Sequence, residues 1–319
     1  MAWHPDMTRI IEAVQSAPSV FSRRLWDVRL ADEGQDRVDL YADPSAAAGA
    51  AMPREVAISC GAALYNLRLA IQVAGHTPSV WLLPGMDGES VLLDQLGAGR
   101  ILVASVEIMP DRTAPPTAGV QEMYEAMWLR HAPAGPDPVL PIPLPLLVEM
   151  ENAAAEEHGW LRVLHPREQR LMLREAASAG ADTASLGRRV QLMSLSTDDD
   201  RPLDWLRAGQ ALQHALLTGT RYSMSGPSGR SERYRVSLKY GWSDWHPLRP
   251  PRRVPGDYGI TASFLPQPLE LDDRRRRTRR WPWRSYYNEV PQMVLRVAFA
   301  PVERVPAPPL YQSPPERLA

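Results

Sequence analysis

A cluster of prolines near the middle of the chain limits how the chain can fold. Six prolines lie between positions 133 and 145. Because proline lacks an amide hydrogen and clashes with the preceding helical turn, it is excluded from helix interiors and central strands. We therefore predict an extended, stiff connection at 131–145. It divides the chain into a first half at 1–130 and a second half at 146–300, followed by a proline-rich tail at 301–319.

The hydrophobic pattern on both sides of this connection predicts a mixture of helices and strands. Met7, Ile10 and Val14 repeat at helical spacing, and short alternating segments that follow are typical of strands. The same mixture returns after the connection. The range 222–259 is rich in glycine, proline, serine and arginine, so we predict an inserted loop there, with one short strand at 234–238.

Charge excludes several classes of protein. The formal net charge is −1 and the isoelectric point is about 6.7. A protein whose main ligand is nucleic acid or an anionic membrane carries a positive surface, so we expect neither as a partner. An arginine-rich run at 274–280 could bind nucleic acid or an acidic partner, but a solvated helix face paired with nearby carboxylates is the simpler interpretation.

The cysteines and histidines of the chain indicate whether it forms disulfides or binds a metal, and its hydropathy indicates where it is located. Cys60 is the only cysteine, which excludes an internal disulfide, and we interpret it as a packed thiol on a buried helix. The seven histidines never occur at the helical spacing of metal ligands, so no metal site is expected. We see neither a run of 18 apolar residues nor a secretory leader, and therefore expect a cytoplasmic protein without a membrane partner.

A short sequence repeat links the two halves. Gly-Ala-Ala-Leu at 61–64, with Leu69, reappears 148 positions later as Gly-Gln-Ala-Leu at 209–212, with Leu217. Each copy lies on a predicted long helix that follows an alternating strand closed by aspartate, and its small side chains permit close helix contact. The repeat indicates a duplicated strand–loop–helix unit, although a match this short also arises by chance.

Seven segments carry a further signal, and they occur in order along the whole chain. They are residues 17–26, 38–43, 58–70, 129–131, 195–198 with 204–212, 262–265 with 267–270, and 291–296. Together they resemble the Acg-type branch of the FMN-dependent nitroreductase superfamily.

The resemblance implies an α+β, nitroreductase-like fold in which two related halves of one chain form a pseudo-dimer, so we expect a monomer. It also implies that FMN binds between the halves. Hydride would then pass from NAD(P)H through the flavin to a nitroaromatic, quinone or similar small-molecule acceptor. Because the flavin supplies the chemistry, no catalytic side chain is identified.

The same resemblance assigns the cofactor-binding residues. They are Ser19, Ser22, Trp26, Arg130, Ser263 and Gln267. Several family motifs differ in this chain. His-Asn-Thr-Gln-Pro-Trp is Phe-Ser-Arg-Arg-Leu-Trp at 21–26, and the phosphate-binding Arg-His-Thr-Asn-Arg-Arg is Arg-His-Ala-Pro-Ala-Gly at 130–135. Gly-Tyr-Gly is Ala-Phe-Ala at 298–300, and a later arginine pair is Ala-Pro at 307–308. The alternative function is therefore a catalytically silent family member that has lost FMN and acts as a binding or scaffold protein.

Overall fold

Two antiparallel sheets and a pair of long helices organise the protein in the computed structural model. The structure describes residues 7–19, 24–31, 36–43, 54–84, 100–109, 116–129, 142–170, 191–225, 234–239, 262–263 and 290–301. The helices are α1 (Met7–Gln15), α2 (Arg54–Val73), α3 (Ala118–Leu129), α4 (Leu144–Glu156) and α5 (Pro202–Ser225). The strands are β1 (Trp26–Leu30), β2 (Arg37–Ala42), β3 (Thr77–Leu82), β4 (Ile101–Met109), β5 (Trp160–Val163), β6 (Gln191–Thr197), β7 (Tyr234–Lys239), β8 (Ala262–Ser263) and β9 (Val290–Pro301). This mixture confirms the predicted α+β class.

The two sheets have the same strand order. The first sheet runs β1-β2-β4-β3, and α2 connects its second strand to its third in the chain. The second sheet runs β5-β6-β9-β7, and α5 takes the corresponding place between β6 and β7. The short strand β8 also pairs with β9. Every described strand pair is antiparallel.

The second strand of each sheet carries an irregularity at the corresponding position. Pairing of β2 with β4 shifts register between Leu40 and Tyr41. Pairing of β6 with β9 shifts register between Leu195 and Ser196. In both strands the shift begins three residues before the aspartate that was matched in the sequence repeat. An extra residue at such a point bends the strand and increases its local twist.

Each sheet is covered by its own long helix, and the two helices pack against each other. Helix α2 contacts all four strands of the first sheet, whereas α5 contacts β6 and β7 of the second. Helix α1 packs on α2, α4 packs on α5, and α3 lies against both long helices. The α2–α5 pair is therefore the centre of the molecule, and we call the surface between these two helices the seam.

Two glycines allow the long helices to approach closely at the seam. A Cβ atom on Gly61 would lie 2.9 Å from the Gly209 Cα and nearer still to the Leu206 carbonyl oxygen. A Cβ atom on Gly209 would lie 2.8 Å from the Gly61 Cα and nearer still to the Ile58 carbonyl oxygen. Contacting positions advance together along the two helices, from 61 and 209 to 66 and 213, so the helices run in the same direction.

Residues of each long helix reach into the apolar core on the other side of the seam. Ile58 lies on α2 but belongs to the cluster beneath the second sheet. Leu206 lies on α5 but belongs to the cluster beneath the first sheet. Both side chains are fully buried, and they are 148 positions apart.

Several boundaries differ from those expected. Helix α4 begins at Leu144, so Pro145 lies inside the helix rather than in the connection. Proline is tolerated in a first turn because the amide hydrogens there have no helical acceptor. Helix α5 continues to Ser225, beyond the expected start of the loop at 222, and β7 lies at 234–239 as an integral strand of the second sheet. The arginine-rich run at 274–280 falls outside the described residues.

Helix α2 also has the length and composition of a membrane span. Among the residues that the structure describes it is the single candidate, with a mean hydropathy of 1.4 over its most apolar window. That window is 83% buried inside the protein. Its apolar character is therefore explained by its central position between the two sheets.

Candidate functional site

Two of the predicted cofactor-binding residues, Ser19 and Trp26, lie at opposite ends of the connection between α1 and β1. Ser19 is half-buried and takes part in a hydrogen bond or an electrostatic interaction. Trp26 opens β1 opposite Ala42 and is 8% exposed. Its indole Nε1 is buried and has no hydrogen-bond partner among the described residues. A buried N–H group without an acceptor is costly, so this atom is suited to bind a ligand or a water molecule.

The end of this connection is held on α2. The Leu25 carbonyl oxygen accepts a hydrogen bond from the Asp43 amide at 2.8 Å, and the Cys60 Sγ lies 3.8 Å from the same oxygen. Cys60 is fully buried, and burial raises the pKa of its thiol well above the ordinary value. The prediction of a packed, unreactive thiol is confirmed, because a nucleophilic cysteine requires the thiolate.

The remaining predicted residues are only partly placed. Ser263 lies in β8, where its backbone pairs with Val294 of β9, so it belongs to the second sheet. Ser22, Arg130 and Gln267 lie outside the described residues, although α3 ends one position before Arg130. Ser19 thus lies just after α1 and Trp26 at the start of β1, both in the first half, whereas Ser263 lies in the second.

Two polar or aromatic pairs cross the middle of the seam. Gln213 Nε2 donates to Asn66 Oδ1 at 2.7 Å, and both residues are 0% exposed. The rings of Tyr65 and His214 stack with centroids 4.8 Å apart. Residues 66 and 214 are 148 positions apart, and so are residues 65 and 213. The two pairs are therefore equivalent under the repeat spacing, as the two glycine contacts are.

A charged cluster adjoins the stacked rings. Arg68 Nη1 donates to Glu157 Oε2 at 2.6 Å and to Gln210 Oε1 at 2.8 Å. The Arg68 guanidinium carbon also lies 5.7 Å from the Tyr65 ring centroid. Since Glu157 follows directly after α4, this cluster joins the first half to two elements of the second.

Burial is the main cause of the pKa shifts of the two stacked side chains, His214 and Tyr65. Burial, and then the positive charges of Arg68 and Arg221, lower the pKa of His214 to about 4, against an opposing hydrogen bond to the Ala153 backbone carbonyl. Burial also raises the pKa of Tyr65, with a further contribution from Glu157. Both side chains are therefore neutral at neutral pH.

A second charged cluster lies where the long helices begin. Arg54 Nη2 donates to both oxygens of Asp200, at 2.7 and 2.6 Å, and the side chain of Arg54 is 8% exposed. The Trp205 indole donates to Asp200 Oδ1 at 2.6 Å, and the Arg54 guanidinium lies 5.8 Å from the Trp205 ring. This cluster also joins the two halves, because Arg54 opens α2 and Asp200 precedes α5.

Sequence reasoning missed both charged clusters. A signal for them existed, because Arg54, Glu55 and Arg68 are the only charged residues of the otherwise apolar α2. A cation on a helix that is buried on most sides requires a partner. The partners lie on or beside α4 and α5, which pack against or near α2 but are distant from it in the sequence. A local sequence pattern therefore does not identify them.

Metal ligands do not assemble in the described residues. Within the described part of the chain, no group of three or more histidine, cysteine, aspartate or glutamate side chains is placed to hold a metal ion.

No protein-family model matches the chain, and no curated protein matches it significantly.

Proposed function

We propose that this chain is a nitroreductase-like flavoprotein, in which one polypeptide forms a pseudo-dimer and FMN binds between its halves. One observation carries the proposal: two sheets of the same strand order meet through long helices whose glycine contacts repeat at a spacing of 148. Such an arrangement is what the duplication of a strand–helix unit that once paired with itself would produce. The resemblance of seven sequence segments independently suggests the same architecture.

The first half would supply the residues that contact the ring system of FMN. The indole N–H of Trp26 is the most specific of them, because it is buried and without an acceptor in the described structure. Ser19 lies in the same connection, and Ser22 falls between them in the sequence. Ser263 and Gln267 would approach from the second half. Bound FMN would supply the hydride chemistry, so these side chains would only bind and orient it.

The phosphate of FMN requires a cation, for which Arg130 is the proposed residue. Guanidinium groups bind phosphate through paired, charge-assisted hydrogen bonds. The buried Arg54 and the half-buried Arg68 do not suit this role, because Arg54 already binds Asp200 and Arg68 already binds Glu157. Arg130 follows α3, which packs against both long helices.

In this proposal the reductant is NAD(P)H and the acceptor is a nitroaromatic, a quinone or a similar small molecule. The long helix of each half already packs against the long helix of the other, so a second chain is not needed to complete the seam. We therefore propose a monomer. The location that we propose is the cytoplasm.

FMN titration tests the proposal directly. Purified protein should quench the fluorescence of added FMN and, under anaerobic conditions, NADH or NADPH should bleach the bound flavin. Trp26→Phe should raise the Kd for FMN about tenfold, the equivalent of one hydrogen bond. Urea unfolding of the apoprotein should show the variant still folded, which separates a loss of FMN binding from a loss of structure.

The matched control for this variant is Trp81→Phe. Trp81 lies on the edge strand β3 and is 47% exposed, so its substitution should leave the Kd for FMN unchanged. Protein that is colourless after incubation with FMN and removal of the unbound flavin would refute the proposal.

A catalytically silent binding or scaffold protein is the second candidate function. It is favoured by the phosphate motif, which retains Arg130 where the family has two or three arginines. Losing two hydrogen bonds of about 1.5–3 kcal/mol each would weaken binding roughly 10²- to 10⁴-fold. Absence of FMN binding, together with an intact fold, would select this candidate.

A further inference from the structure

We infer that Gln213 and Asn66 are positioning residues, through which the second half holds in place the turn that ends α1. The relevance of this turn to FMN rests on the proposed function, because Ser19 follows it closely in the chain. The positioning itself stands on the hydrogen bonds alone.

A continuous chain of hydrogen bonds runs from α5 to the end of α1. Gln213 Nε2 donates to Asn66 Oδ1 at 2.7 Å. Asn66 Nδ2 in turn donates to the Ala13 carbonyl oxygen at 2.8 Å and to Ser16 Oγ at 3.1 Å. Ser16 Oγ donates to the same Ala13 carbonyl oxygen at 2.8 Å.

The direction of this chain is determined by the backbone. The Ala13 carbonyl oxygen can only accept, so the Asn66 amide must present its nitrogen to α1 and its oxygen to the seam. Gln213 must then present its nitrogen to Asn66. Neither amide can reverse without placing two acceptors together at a site that excludes water, because both residues are 0% exposed.

The network ends where the proposed cofactor segment begins. Ser16 and Ala17 form the turn that terminates α1, with amide hydrogen bonds to Glu12 and Val14 respectively. Ser19 follows this turn after one proline. The far end of the connection between α1 and β1 is held on α2 through Leu25 and Cys60. The near end is coupled through Asn66 to Gln213 of the second half.

Gln210 provides a matched control on the same helix. It lies three positions before Gln213, is 5% exposed, and accepts a hydrogen bond across the seam from Arg68 at 2.8 Å. Its contact leads to α4 rather than to α1. Gln→Met substitution at either position keeps the length of the side chain and removes one hydrogen bond across the seam.

Hydrogen exchange of the full-length protein tests the inference without any ligand. In Gln213→Met, the amides of Ser16 and Ala17 should exchange about tenfold faster, the loss expected from one hydrogen bond. Gln210→Met should leave these two amides unchanged. Ser16→Ala removes the last side chain of the hydrogen-bond network, at a half-buried position. This variant should show the same faster exchange at the end of α1 even where Gln213→Met folds poorly. A uniform increase over the whole chain, or no increase at Ser16 and Ala17 in either variant, would overturn the inference.

FMN binding supplies the second measurement. Gln213→Met should raise the Kd for FMN several-fold, whereas Gln210→Met should not. If the wild-type protein binds no FMN, the proposed function fails, and the exchange result still decides the positioning role. If FMN binds equally well to both variants, the network does not position the cofactor segment.

Discussion

At the scale of single residues, the seam is a place where buried polar groups are matched across the two halves. Arg54 with Asp200, Arg68 with Glu157 and Gln213 with Asn66 each join one half to the other. His214 differs, because its Nδ1 is buried without a hydrogen bond in the described structure. Matched groups specify the register of the helices, whereas His214 makes stability depend on pH.

His214 should destabilise the protein as the pH falls. Its folded pKa is lowered to about 4 from 6.5, so between these values the unfolded chain binds a proton that the folded chain excludes. The contribution to stability is fully present above pH 6.5 and is lost toward pH 4. We expect the free energy of unfolding to fall by about 2 kcal/mol between pH 7 and pH 5 from this group. Urea unfolding at several pH values measures it.

The control for this pH dependence is His214→Phe. Phenylalanine retains a ring to stack on Tyr65 but does not titrate, so the difference between the two pH profiles isolates the histidine from neighbouring groups. Those neighbours are Arg68, Arg221, Glu156 and Glu157. Parallel profiles for the two proteins would contradict the assignment.

At the scale of elements, the close approach of α2 and α5 depends on two positions without side chains. Backbone atoms of each helix occupy the space that a Cβ atom on the facing glycine would need. Small residues permit such contact, and it lets the polar pairs of the seam reach one another. The crossing of the helices and the seam contacts are thus one structural feature.

Gly61→Ala should lower the free energy of unfolding by about 3 kcal/mol or more. The added methyl group would meet backbone rather than a flexible side chain, so the helices must separate, and overpacking costs reach this range. Thermal and urea unfolding would measure the loss. Gly119→Ala is the matched control, because the nearest atom to its Cβ position is Arg221 Nη1 at 3.9 Å. Equal stability of the two variants would show that the helices do not touch as described.

At the scale of the whole molecule, Ile58 and Leu206 join the two cores. Each side chain is fully buried in the cluster that covers the opposite sheet. A half that unfolded alone would remove a core residue from the other and expose its helix face. Because the two cores share these contacts, we expect the halves to unfold in one cooperative transition.

Ile58→Ala should destabilise the whole chain by about 2–5 kcal/mol, the range for large-to-small substitutions in a core. Tryptophan fluorescence and far-ultraviolet circular dichroism should report coincident urea transitions for the wild type and for the variant. Leu144→Ala, at a side chain that is 70% exposed, should change stability by no more than about 0.5 kcal/mol. Two separated transitions in the wild type would show that the halves unfold independently.

The sequence by itself determined the elements and the class of fold. Apolar periodicity at Met7, Ile10 and Val14 predicted α1, because that periodicity records which face of an element is buried. The small residues around Gly61 indicated that another helix could approach closely there, and the structure shows that Gly209 is the facing position. The single cysteine on a predicted buried helix was sufficient to identify a packed thiol.

Only the tertiary structure decided how these elements are joined. Partners such as Arg54 and Asp200, or Asn66 and Gln213, are about 147 positions apart and depend on how two helices cross. The placement of Ile58 and Leu206 in the opposite cores follows from the same crossing. Local patterns record the burial of a face but not the element that buries it, since that choice is made by long-range packing.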